Sequence, residues 1–235
     1  MRALHEKFVV QVRPLPAAAR RDLYIWAGAL AAVGAVSFAV ILTNILQHND
    51  LSTIDVPIEH WIDSIRTPSL TTAMIVLAVV FGPIGLPIII LVVIVAWTIA
   101  ARHAWRPLLL AGGTLTGLII VQIITRLVGR HRPPLNLMLF GTDSTFSFPS
   151  GHVLGACDFL LILTYLVYSR RNSRRMAVLA FVVAAILILA AAFSRVYLGY
   201  HWATDALGSI ALSLVILGAV IAVDTRRTVR VPGQT

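Results

Sequence analysis

"SLTTAMIVLAVVFGP", Ser69 to Pro83, decides how many times this chain crosses a membrane. Its apolar part, Ser69–Phe81, is closed by Gly82-Pro83, a pair that interrupts a helix. Coiled at 1.5 Å per residue, that part reaches about 20 Å, whereas a bilayer core is about 30 Å thick. It is too short to cross. With the mixed stretch "DVPIEHWIDSIR" (Asp55–Arg66), it is assigned to short interfacial helices on the outer surface.

Six longer runs remain: Leu23–Leu46, Ile84–Ala101, Pro107–Thr125, Gly151–Ser169, Met176–Phe193 and Trp202–Val223. Each falls near the roughly 17–25 residues that span a bilayer as helix. The composition agrees, because 58% of the 235 side chains are hydrophobic and only 12% charged, against roughly 45–50% apolar in soluble domains. The expected fold is all-α: a six-transmembrane-helix bundle with short interfacial helices between the first and second crossings. Leu23–Leu46 is longer than the core of a cleaved signal and reads as a retained anchor. No tandem repeat or linker interrupts the chain, so one integral membrane domain over residues 1–235 is expected.

Charge placement tests that count. With the N-terminus inside, six crossings put 14 of the 19 Lys and Arg residues in the cytoplasm and leave Arg66, Arg126, Arg130, Arg132 and Arg195 outside. A seventh crossing would push "SRRNSRR" (Ser169–Arg175) outward, against the positive-inside bias. The net charge of +9 therefore reads as orientation and anionic-lipid contact, and nucleic acid is excluded as a partner. Cys157, the single cysteine, is a small core residue. Gly113 and Gly117 have the spacing of a helix-packing face.

Under this topology three polar stretches meet at one outer face: "TRLVGRHRPP" (Thr125–Pro134), "FPSGH" (Phe148–His152) and "SRVYLGYHWATD" (Ser194–Asp205). Arginines, histidines and an acid gathered at a membrane surface suit an anionic headgroup. Ser150 is a good N-cap, and Gly151 exposes backbone N–H groups at a helix start whose dipole favours phosphate. His201 and Asp205, four apart, share a helix face, so the carboxylate can hold one imidazole nitrogen while the other points at the anion. Arg195 can reach back to the same pocket, and His152, on another helix, could protonate a leaving oxygen.

Together these stretches resemble the type 2 phosphatidic acid phosphatases, or lipid phosphate phosphatases. That family's pattern is Lys, six residues, Arg-Pro; then Pro-Ser-Gly-His; then Ser-Arg, five residues, His, three residues, Asp. Here Arg132-Pro133 and Pro149–His152 match, and the third part matches fully at Ser194, Arg195, His201 and Asp205. The resemblance runs from the third to the sixth crossing, with core motifs in 125–205. It implies a phosphatase working through a phosphohistidine, with no metal and no cofactor. His201 would attack phosphorus, Asp205 would orient it, and His152 would protonate the departing group. Arg132, Arg195, Ser150 and the Gly151 amide would hold the phosphoryl oxygens.

One position departs from the pattern. Where the family has lysine, this chain has Thr125, and its one lysine, Lys7, is cytoplasmic. Arg126 or Arg130 is left to supply that charge, although Arg130 and His131 read equally as a solvated basic loop. An active enzyme with an altered phosphate pocket is expected, an inactive homologue being the competing outcome. His60 and Trp61 read as interfacial anchors, and Asp158, inside a crossing, as an interhelical hydrogen-bonding group.

The expectation is a lipid phosphatase in the cell inner (plasma) membrane, with both termini cytoplasmic and the site facing the periplasm or outside. Its partners would be a lipid phosphate substrate and membrane lipids, with the oligomeric state unknown. Undecaprenyl diphosphate, phosphatidylglycerol phosphate and phosphatidic acid are the implied candidates, with a slight lean to the first because no soluble headgroup-recognition domain is present. The alternative is a catalytically impaired phospholipid-binding or transport protein that retains the anion pocket.

Overall fold

The computed structural model describes residues 16–47, 53–101, 104–169 and 173–227. Arg2, Lys7, Arg13, Arg102, Arg170, Arg171 and Arg230 of the charge argument lie outside them. The described residues form eight α-helices and one short 3-10 turn: α1 (Ala17–Gln47), α2 (Asp55–Ser64), α3 (Pro68–Val80), α4 (Gly85–Ala101), α5 (Trp105–Val128), α6 (Gly151–Tyr168), α7 (Arg174–Tyr197) and α8 (Ala203–Arg227). Local chemistry fixes several ends. Thr67 caps α3 through its side chain with Pro68 following, Ser173 caps α7, and Gly129, at φ 63°, closes α5 in the left-handed conformation.

Five helices, α1, α5, α6, α7 and α8, are long and apolar enough to cross a membrane alone, and α3 with α4 makes a sixth candidate, bent by 50° between them. The sequence breaks where Gly82-Pro83 indicated, but α3 is more than a surface helix. Met74 and Ala78 of α3 pack against Val196, Tyr197 and Leu198 at the end of α7. The elbow between α2 and α3 is tied to the same place. Arg66 donates to the Tyr197 carbonyl from Nε (3.3 Å) and Nη2 (3.1 Å), and the Tyr197 hydroxyl accepts from Thr67 N–H at 3.0 Å.

The bundle centre is α8, flanked by α1, α5 and α6. α1 and α8 touch backbone to backbone. A Cβ added to Gly34 would lie 2.5 Å from the Ala211 carbonyl oxygen, and one on Gly218 would lie 2.6 Å from that of Ala27. Such small-residue contacts are how helices associate where lipid is as apolar as the side chains. On α5, Gly113 and Gly117 instead make room for the side chains of Ile162 and Asp158 from α6. Asp158, buried in α6, accepts a 2.6 Å hydrogen bond from Ser213 of α8, in keeping with an interhelical role.

At the end of the bundle away from Gly129 and Gly151, a polar cluster closes α5, α6 and α8 together. Asp224 accepts from Trp105 Nε1 (3.2 Å) and Tyr165 hydroxyl (3.2 Å) and pairs with Arg106 at 3.4 Å. Arg106 also donates to the Leu166 carbonyl and to Ser169 Oγ at 3.1 Å. Arg106, one of the 14 basic residues assigned to the cytoplasmic side, is therefore also a buried structural charge.

Gly34→Leu and Gly218→Leu should each destabilise the protein by about 1–3 kcal/mol through overpacking. Gly28→Leu, on the same α1 but with nothing within 4 Å of its Cβ, should change little; unfolding midpoints in detergent-solubilised protein would check the difference.

Candidate active site

The site is assembled at the end of the bundle where α5 stops, α6 starts, and α7 turns into α8. The α7–α8 turn is tight. Gly199 takes φ 78° and sits so close to the 3-10 segment that a Cβ there would lie 2.3 Å from the Leu137 carbonyl oxygen. Only glycine fits both demands. Tyr200 is pinned beside it through hydroxyl bonds to the carbonyls of Phe140 and Gly141. The "FPSGH" stretch is anchored by Phe148, which is fully buried, stacks on Phe38 of α1 at 5.6 Å, and fills a slot that a Cβ on Gly208 would close.

His201 lies in the turn just before α8, not within the helix, so it does not share a helical face with Asp205 as the spacing suggested. Its Nδ1 lies 2.8 Å from the Ser147 carbonyl oxygen and 3.4 Å from Asp205 Oδ2. A carbonyl only accepts, so Nδ1 carries the proton and the Nε2 lone pair is left for chemistry. In the free site that lone pair accepts from Arg132 Nη1–H at 3.1 Å. His201 is nearly fully buried. Burial, then the cations Arg132 and Arg195, hold its imidazolium well below the usual histidine range, outweighing the Ser147 carbonyl and Asp143, which favour the proton.

Asp205 is occupied otherwise than by His201 alone. It accepts from the Trp202 N–H at 2.9 Å, capping α8, while its Oδ1 pairs with Arg130 at 2.5 Å. Arg130 reaches on to Asp55 Oδ2 (2.7 Å) and Thr204 Oγ1 (2.7 Å). Asp55 in turn accepts from the Thr204 N–H at 2.9 Å and its hydroxyl at 2.6 Å. An acid from α2 thus caps the first turn of a helix nearly 150 residues later. Arg130 is not a solvated loop residue; it bridges two buried carboxylates and lies over the Trp202 ring. His131 keeps its side chain exposed, while its carbonyl accepts from Trp202 Nε1 at 3.0 Å.

The five sequence-predicted anion ligands are distributed as follows. Arg132 Nη1 is at His201, as described. Arg195, buried, lies over the Tyr200 ring at 4.3 Å, and its Nε has no hydrogen-bond partner. Ser150 occupies the N-cap position of α6 but makes no side-chain cap; its buried hydroxyl is likewise unpartnered, while its carbonyl accepts from Ser209, which also bonds the Asp205 carbonyl. Gly151 opens α6 next to it. His152 follows, its Nε2 3.5 Å from where a Cβ on Gly82 would stand, so the break between α3 and α4 abuts it. Arg126 is not brought to this cluster. It is exposed and donates to the Gln122 carbonyl of its own helix at 2.9 Å. Its position, one residue from Thr125, points it along α5 instead.

The sequence reading missed Asp55, Ser147, Asp143 and Tyr200. Asp55 carried a signal: with Glu59 and Ile62 it forms the buried face of α2, an unusual place for two acids. Ser147 meets His201 through its backbone carbonyl, which leaves no mark in sequence, and Tyr200 serves through its ring under Arg195 and its carbonyl toward Arg132. Asp143, at 2.9 Å from Arg132, is held below the usual carboxylate range: burial would raise it, but the Thr145 N–H and hydroxyl and then the Arg132 charge outweigh that. Among the described residues, no three His, Cys, Asp or Glu side chains are grouped to hold a metal ion.

Comparison with known proteins gives a consistent result. Phosphatidylglycerophosphatase B of Bacillus subtilis (strain 168) is 27% identical over 190 residues, covering 80% of this chain and 92% of that one. The fold matches a crystal structure described as the first transmembrane PAP2 type phosphatidylglycerolphosphate phosphatase from Bacillus subtilis, with a TM-score of 0.75 and 24% identity over 83% of this chain and 96% of that one. The family model for the PAP2 superfamily matches residues 106–228, which include all three polar stretches. This multi-pass membrane chain belongs to the PAP2 superfamily.

Proposed function

We propose that the protein hydrolyses a terminal phosphate from a membrane lipid, with phosphatidylglycerol phosphate as the first substrate to test. The observation that carries this reading is the pairing of a neutral, oriented His201 Nε2 with buried polar groups on two other helices, Arg195 Nε and Ser150 Oγ, that find no partner in the protein. Unpaired buried donors are costly, and an oxyanion would satisfy them. The similarity to a phosphatidylglycerophosphatase favours that lipid over the polyprenyl diphosphate, to which the compactness of the chain leans slightly. Undecaprenyl diphosphate and phosphatidic acid remain the comparison substrates.

In this reading the whole chain works as one phosphatase domain, with its site at the outer face of the membrane and its termini in the cytoplasm. His201 Nε2 attacks phosphorus, the P–N bond forms as the bond to the lipid oxygen breaks, and His152 gives that oxygen its proton. Arg132, Arg195, the Ser150 hydroxyl and the Gly151 N–H hold the equatorial oxygens, where the transition state carries its charge. The Ser147 carbonyl and Asp205 stabilise the positive charge growing on the imidazole ring. Water then attacks the phosphohistidine, losing its proton to His152 as the P–N bond breaks and inorganic phosphate leaves. No step requires a metal. Arg130, held by Asp55, fixes the rotamer of Asp205 and stands nearer the site than Arg126, so it is the better candidate to balance the charge that Thr125 lacks.

Phosphate release from phosphatidylglycerol phosphate should persist in excess chelator and fall at least about 1,000-fold in His201→Ala; chelator-sensitive turnover, or turnover that survives the substitution, would sink this mechanism. Arg130→Lys, which keeps the charge but not the two-acid fork, should lower kcat about 10- to 100-fold with KM little changed, as expected of a misplacement near 1 Å; Asp55→Asn should act in the same direction. Because its pKa is depressed, His201 should remain neutral at pH 6, where an ordinary histidine is largely protonated. In histidine-labelled protein, the ring signal missing from His201→Gln should keep the shift of an unprotonated Nε2 at that pH.

A further inference from the structure

The arginine assigned to hold the phosphoryl group already holds a carboxylate. Arg132 Nη2 pairs with Asp143 Oδ2 at 2.9 Å and donates to Thr145 Oγ1 at 2.9 Å, while Nε donates to the Thr145 carbonyl at 3.0 Å. The loop between α5 and α6 therefore wraps the Nε–Nη2 edge of the guanidinium, the edge that takes an oxyanion in a bidentate grip. The other edge, Nη1, is turned to the Tyr200 carbonyl (2.6 Å) and His201. Asp143 is not part of any of the three polar motifs. Its second oxygen, Oδ1, accepts from the Thr145 N–H at 3.0 Å and hydroxyl at 2.7 Å, so the carboxylate is built into the loop and aimed at Arg132. It keeps about a third of its side chain exposed.

A pocket of two arginines, a helix N-terminus and a hydroxyl would bind phosphate ion as readily as a phosphoryl group in transit. Binding substrate, product and transition state equally lends nothing to turnover, and product release limits many enzymes. An anion that returns to Arg132 when the phosphate loosens would shift that balance. Resting on the reading that Arg132 holds the phosphoryl group, we propose that Asp143 is an internal competitor for phosphate at Arg132, displaced as the substrate docks and re-pairing to help expel the product. It sets anion affinity; it forms and breaks no bond with phosphorus.

Asp143→Asn is the test, because the amide oxygen can keep both bonds to Thr145 while the charge is lost. Inorganic phosphate binding by titration, its inhibition constant, and kcat on phosphatidylglycerol phosphate would be measured for wild type, Asp143→Asn and Arg132→Gln, each checked for an intact unfolding transition. The proposal expects about tenfold tighter phosphate binding and a matching fall in the inhibition constant for Asp143→Asn, with lower kcat as release slows, and loss of binding for Arg132→Gln. Unchanged or weaker phosphate affinity in Asp143→Asn, while Arg132→Gln still abolishes it, would overturn the competitor and leave the Arg132 reading standing. Loss of turnover with unchanged affinity would place Asp143 in the chemistry instead and also overturn it. No phosphate binding and no turnover in wild type would overturn both.

Discussion

The whole site depends on one guanidinium bridging two buried acids. Asp55 and Asp205 are almost completely shielded from solvent, and an uncompensated buried carboxylate costs several kcal/mol. Arg130 meets both through different nitrogens, 2.7 Å from one and 2.5 Å from the other. A lysine could not do so with the same geometry, since its charge sits at one point. Through this fork the outer helix α2, the loop after α5 and the first turn of α8 become one unit, and His201 rides on the turn that unit holds. The α1–α8 backbone contact fixes α8 from the opposite side, and Phe148 wedges the α6 start between them.

The two ends of α8 thus share a design but not a purpose. At one end Asp224 gathers Trp105, Arg106 and Tyr165 into a cluster tied into the ends of three helices. At the other, Arg130 takes two acids, Asp55 and Asp205, and Arg132 takes Asp143, so Arg195 is left without a carboxylate beside His201. Arg195 and Ser150 are placed there with polar atoms left over, whereas Arg132 is engaged on every edge. That contrast separates donors ready for an anion from one that must first let go of another.

Much of this was legible from residue spacing. Hydropathy runs located the long helices, the Gly82-Pro83 pair located the break, and three polar motifs identified the residues gathered at the α5–α6–α8 end. Helix periodicity failed for His201 and Asp205 because the helix begins two residues after the histidine, and the acid is spent on capping that start. Arg126 looked suitable by sequence distance, yet it lies along the outer side of α5. The Asp55–Arg130 link joins positions 75 residues apart, a separation at which a single sequence holds no pairing information. The backbone carbonyl of Ser147, which sets the imidazole tautomer, belongs to no side-chain pattern at all.

The break between α3 and α4 has a consequence for the lipid as well as for the protein. α4 has 17 residues, about 25 Å of helix, and α3 leaves it at 50° instead of extending it. On the side that α3 turns away from, α4 alone meets about 30 Å of hydrocarbon, and a local shortfall of that kind is met by thinning of the bilayer beside it. Gly82, immediately before α4, lies against His152. In the orientation proposed above, that thinning would fall on the leaflet from which a headgroup reaches His152, shortening its path without any part of the protein having to rise to meet it.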